Sequence, residues 1–164
     1  MKRFTFILCI LFVLSLCGCS LFTPQPVEPT TEPTKPANVI ETKYYTVTLP
    51  EDWVDACTYT VYPADEEGPD TLVLSETESY HTEYGGHLCS ISLIPHGEDY
   101  SYFPSYEWIG MLETPEGDFD IVVLYPTDVQ FSDETAQAYH NLANKVEDVI
   151  NTLTPNDGIG MMMP

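Results

Sequence analysis

Glu107-Trp108-Ile109-Gly110-Met111-Leu112 and Phe119-Asp120-Ile121-Val122-Val123-Leu124-Tyr125 stand on either side of Thr114-Pro115-Glu116-Gly117-Asp118. The flanks are rich in aromatic and branched residues, and the polar connection carries the proline and glycine of a tight turn. The stretch predicts a β-hairpin, and a lone hairpin cannot bury enough apolar surface to stand by itself. Its partners are found by reading outward. Cys57-Tyr59-Val61, Leu72-Leu74 and Cys89-Ile91-Leu93 repeat the two-residue apolar period, separated by turn chemistry at 63–70 and at Tyr84-Gly85-Gly86. Earlier still, Tyr45, Val47 and Leu49 alternate with Tyr44, Thr46 and Thr48 until Pro50, and Glu51-Asp52-Trp53 turns the chain. On the C-terminal side, Ser132 is placed to cap a helix with Asp133 and Glu134 in its first turn. Tyr139, Leu142, Ala143, Val146, Val149, Ile150 and Leu153 then form one apolar stripe, which Pro155 and Asn156-Asp157-Gly158 end. The expectation is an α+β domain: a twisted antiparallel sheet of about six strands in meander order, with one long C-terminal helix on one face. Residues 157–164, including Met161-Met162-Met163, are expected to form a flexible tail.

The first residues carry an address. Lys2 and Arg3 precede an apolar run from Phe4 to Leu16, which is shorter than the roughly 20 residues a spanning helix needs. Residues 1–18 therefore read as a secretory signal peptide. Leu16-Cys17-Gly18-Cys19 resembles the lipobox of bacterial lipoproteins, with an aliphatic residue, two small ones and a cysteine. The resemblance implies cleavage before Cys19 and a diacylglyceryl thioether on its sulfur, a reaction that needs a thiolate nucleophile. Two acyl chains suffice for stable membrane anchoring where one does not. The expected location is the outer face of the bacterial cytoplasmic membrane, or the outer membrane of a Gram-negative envelope. Residues 19–38 are rich in Pro and Thr and read as an extended tether, leaving 39–156 as a single globular domain.

Charge narrows the partners. Of five basic residues only Lys35, Lys43 and Lys145 lie beyond the expected cut, against all 26 acidic residues, so the mature side chains sum to −23. Such a surface repels nucleic acid and anionic headgroups, and attracts cationic peptides or basic protein patches. Cys57 and Cys89 are the two cysteines left to the domain. In an oxidising compartment they form either a disulfide or two separate buried thiols, and the sequence leaves both open.

Three segments together, Leu49-Pro50-Glu51-Asp52-Trp53, Glu83-Tyr84-Gly85-Gly86 and Tyr125-Pro126-Thr127-Asp128-Val129-Gln130-Phe131, resemble those of uncharacterised lipoproteins and secreted proteins of gut Firmicutes. The strand followed by Leu-Pro-x-x-Trp is also similar, over that one motif, to PsbP-type domains, which implies an antiparallel sheet flanked by helices. Neither likeness implies a reaction.

The chain lacks Gly-x-Ser-x-Gly, Ser-x-x-Lys, His-Glu-x-x-His and a phosphate-cradling glycine loop, which points away from catalysis. His87 and Cys89, two apart on a strand, share a face, but Ile91 and Leu93 continue that face into a core. His81, Glu83 and His87 match no compact zinc spacing. The acidic runs Asp65-Glu66-Glu67 with Asp70, and Glu116, Asp118 and Asp120, do not follow the order of a calcium loop. No metal or cofactor is expected. The aromatic stretch Tyr100, Tyr102, Phe103, Tyr106 and Trp108, with Tyr84, is the strongest candidate ligand surface, since such rings combine rigid area with a polar edge. The bland reading of the same rings, that they pack a loop onto the sheet, is the one the composition favours. The reading is a membrane-tethered, non-catalytic binding module for an envelope protein, cationic peptide or glycan. The alternatives are an envelope enzyme acting on wall material and an acidic calcium-binding domain.

Overall fold

The computed structural model describes residues 38–65 and 69–164. The signal peptide, Cys19, most of the tether, and Glu66 and Glu67 of the first acidic run lie outside the described residues. The architecture is α+β, with every strand pair antiparallel and two sheets in place of one.

The larger sheet has six strands. They are β3 (Cys57–Tyr62), β4 (Asp70–Glu76), β5 (His87–Pro95), β6 (Tyr106–Thr114), β7 (Gly117–Leu124) and β9 (Gly160–Met162), in the order β3-β4-β5-β7-β6-β9. The smaller sheet joins β1 (Val39–Glu41), β2 (Tyr45–Thr48) and β8 (Thr154–Pro155) in the order β1-β2-β8. The strand that opens the alternating pattern thus pairs away from the large sheet. It keeps the predicted alternation, with Tyr45 and Val47 fully buried and Thr46 and Thr48 half-buried.

The predicted meander is corrected at one point. β5 pairs with β7, as in Ser92↔Val122, and β6 lies beyond β7, as in Trp108↔Val122. The reason is in β7: Ile121, Val122 and Val123 are buried in succession, and a run apolar on both faces belongs inside a sheet. The hairpin turn itself closes at Thr114↔Gly117, within the predicted polar connection. The tail is corrected too: Gly160, Met161 and Met162 pair with Glu113, Leu112 and Met111, so the folded unit runs past residue 156 and β9 covers the edge of β6.

The single long helix predicted from Ser132 is two short ones, α2 (Ala136–Ala143) and α3 (Val146–Ile150). Thr135 takes the cap position, and Ser132 instead closes a tight turn with it, Oγ to Oγ1 3.3 Å. Between the helices the Lys145 N–H bonds back only three residues, to Leu142 O at 2.8 Å. This local overwinding keeps Leu142, Val146 and Val149 on the buried side. A further short helix, α1 (Thr77–Tyr80), follows β4, and its first turn is capped by the buried Glu76 carboxylate, which accepts from the N–H groups of Glu78 (2.9 Å) and Ser79 (2.7 Å). No helix among the described residues is long and apolar enough to cross a membrane.

One core joins these parts. Leu72, Leu74, Ile91, Leu93, Ile121 and Val123 of the large sheet meet Ile40, Tyr45 and Val47 of the small one, Trp53, and Tyr139, Leu142, Val146 and Val149 of the helices. Tyr139 crosses between layers, its hydroxyl donating to His87 O at 2.8 Å. Cys57 and Cys89 are free and buried, on strands that flank β4. Two strand spacings, about 9.5 Å, exceed the reach of a disulfide. Burial pushes both thiols up to about 12, so neither is a nucleophile near neutral pH.

Candidate functional site

Because β5 and β6 both run antiparallel to β7, they point the same way, and the chain must return between them. The five residue steps from Pro95 back to Ser90 cover about 17 Å, well within the span of segment 96–105 without a helix. This segment therefore forms a strap over the sheet face opposite the core. Under it lie Ser92, Ile94, Asp120 and Val122, all buried though they face away from the core cluster.

The strap and the first residues of β6 carry the predicted aromatic stretch, and the structure sorts those rings into two groups. Tyr100 and Tyr106 meet edge to face, centroids 5.5 Å apart. Burial and the nearby Asp120 carboxylate both raise the Tyr100 hydroxyl pKa. Trp108 donates its indole N–H to Asp120 Oδ1 at 3.0 Å, and His96 Nδ1 lies 3.1 Å from the same oxygen. Tyr100, Tyr106 and Trp108 thus anchor the strap around a buried carboxylate, as the packing alternative anticipates. Sequence reasoning missed Asp120 and His96, for Asp120 was read only as part of an acidic run.

Tyr102 and Phe103 form the second group, with centroids 4.5 Å apart and planes tilted by 37°. Tyr102 is 71% exposed. Both line a groove of about 360 Å³ together with Ile94, Pro95, Phe119 and Pro69, and among the described residues Asp65 and Glu98 are its only charged lining residues. Apolar walls with two carboxylates and an open aromatic ring suit a ligand that is part apolar and part cationic. Tyr84 lies outside this groove, in the turn before β5. There Gly86, at φ +63°, passes so close to Glu76 O that a Cβ would sit 2.5 Å away.

The remaining candidates are dispersed. A bulge between Leu74 and Ser75 shifts the register at the start of β5, and His87 turns to Ser90, with Nε2 2.8 Å from Oγ, so the expected shared face with Cys89 is lost. Burial lowers the His87 pKa and favours its neutral form. His81 packs edge-on against Tyr80. Glu116 is held by Lys43 and the Tyr44 hydroxyl, away from Asp120. Among the described residues no three His, Cys, Asp or Glu side chains converge as metal ligands would.

One carboxylate stands apart. Asp70, at the start of β4, is 5% exposed, and its Oδ1 has no hydrogen-bond partner among the described residues. Desolvation raises its pKa above the ordinary aspartate value, and Lys43 opposes that shift. A proton held more tightly in the folded chain than in the unfolded one means that stability falls as pH rises from about 4, the unfolded pKa, through the folded value. Asp70→Asn is accordingly expected to raise stability at pH 7 by about 1 kcal/mol and to change nothing below pH of about 4. Urea unfolding at the two pH values checks this; a variant less stable at pH 7 contradicts it.

No family model matches the chain, and neither a curated protein nor a solved structure is similar to it.

Proposed function

We propose that this chain is an extracytoplasmic lipoprotein, tethered through Cys19, whose domain is a non-catalytic module that binds a basic segment of an envelope protein or peptide. The observation that carries the reading is the groove beneath Tyr102 and Phe103, where apolar walls and the carboxylates of Asp65 and Glu98 meet an exposed ring. The charge of −23 on the mature chain favours a cationic partner over long range, and the groove supplies short-range contacts for it. A tether of Pro and Thr would hold the groove away from the bilayer, where a neighbouring protein can reach it.

The test is fluorescence anisotropy of a labelled short peptide of alternating basic and aromatic residues, titrated with the chain from Ser20 onward. Saturable, salt-sensitive binding is expected, and Tyr102→Ala should weaken it about tenfold, the effect of losing one aromatic anchor. Soluble wall oligosaccharides form the comparison arm. Saturable binding of these with none of the peptide would replace the peptide reading by a glycan one, and binding indifferent to Tyr102→Ala would remove the groove from the account.

A further inference from the structure

A second concavity, of about 290 Å³, opens between the β1–β2 turn and the ends of β3 and β4, lined by Glu41, Lys43, Tyr44, Val61, Pro63 and Asp70 among others. Its chemistry differs from that of the groove. Asp70 lines it as a carboxylate that is 5% exposed and, among the described residues, lacks a partner for Oδ1. A buried acceptor without a donor is rare and costly, so its persistence calls for a ligand or for protonation. The cavity wall already holds one ammonium: Lys43 Nζ lies 4.7 Å from the centre of the Tyr44 ring and bonds to Glu116. Glu116 answers Lys43, which leaves the Asp70 carboxylate with no ion-pair partner among the described residues.

We propose that this cavity binds an alkylammonium group, the charged end of a small amine or of a lysine side chain, with Asp70 as its counter-ion. Val61 and Pro63 would pack the methylene stem. A metal ion is the poorer occupant, because among the described residues no third ligating side chain joins Asp70 and Glu41. The site does not depend on the Tyr102 groove, which has a separate lining apart from Ala64.

The experiment is an NMR titration of the chain from Ser20 onward with pentylamine, with pentanol as the uncharged probe of equal length, and with N-acetyl-lysine methylamide. Pentylamine is expected to shift the amide signals of Tyr44, Val61 and Asp70 saturably while pentanol leaves them in place. Asp70→Asn, which keeps the side-chain volume, should weaken the amine by at least about tenfold. Tyr102→Ala should leave it unchanged, which separates failure of this site from failure of the groove. The tighter of pentylamine and the lysine derivative identifies the source of the ammonium. Equal binding of pentanol, no saturable shift by either amine, or undiminished binding by Asp70→Asn overturns the proposal.

Discussion

Trp53→Ala is expected to lower the stability of the domain by about 3 to 5 kcal/mol, and its midpoint of thermal unfolding by roughly 15 °C or more. Trp53 is fully buried in the short turn Glu51–Trp53, in the core shared by the two sheets and the helices. Truncating a fully buried indole leaves a cavity in that core, so transfer and cavity costs add. Its indole N–H is buried without a partner among the described residues, which offsets part of that contribution. The two effects separate by substitution. Trp53→Phe removes the orphaned donor and keeps most of the packing, and should cost about 1 kcal/mol. Calorimetry of both variants decides the matter: equal losses would mean that the indole N–H has a partner after all.

Gly86→Ala is the second large effect, expected at about 3 kcal/mol by urea unfolding. An alanine at φ +63° carries a left-handed strain of roughly 1 to 2 kcal/mol, and overpacking adds about 1 to 3. The added Cβ would lie 2.5 Å from Glu76 O and 2.8 Å from Tyr80 N, both backbone atoms of the β4–α1 corner, which have little freedom to retreat. Moving residue 86 instead would pull its carbonyl from Glu76 N–H, now 2.8 Å away, and its N–H from Gln130 O. Gly97 is the internal control. It has φ +91° and open space around it, so Gly97→Ala should show the backbone strain alone. Similar losses at the two glycines would contradict the close-approach argument.

How far these features could be read in advance follows from the range of the interactions behind them. The alternation of Tyr45, Val47 and Leu49 and the hairpin around Pro115-Glu116 depend on neighbours in sequence, and both were legible. Strand order was not: Trp108 and Ile91 both alternate properly, and only the doubly buried run Ile121-Val122-Val123 marks β7 as the strand between theirs. The three residues of β9 have too little propensity to announce themselves and become a strand only against an existing edge. The helix stripe from Tyr139 to Leu153 was visible, whereas its break at Asn144-Lys145 turns on a local backbone bond that periodicity does not register.

The aromatic stretch was legible as composition, and its division was not. Trp108 and Tyr102 are both exposed aromatic residues near a strand end, yet one is engaged by Asp120 across the hairpin and the other faces solvent. Asp70 was legible only as a member of an acidic run, because the turn at Thr42-Lys43-Tyr44, with which it lines a cavity, is distant in the chain.

The small sheet also dictates when folding can finish. Tyr45 and Thr46 pair with Pro155 and Thr154, so the first and last parts of the domain are stitched to each other. A ribosome delivers them in that order, and β2 has to wait, with one side unpaired, until residues 154 and 155 emerge. Contacts of such long sequence separation form late and slowly. The edge of β2 that faces β8 is thereby left open until the C-terminal part of the domain has been made, so the small sheet is among the last pieces of the architecture to close.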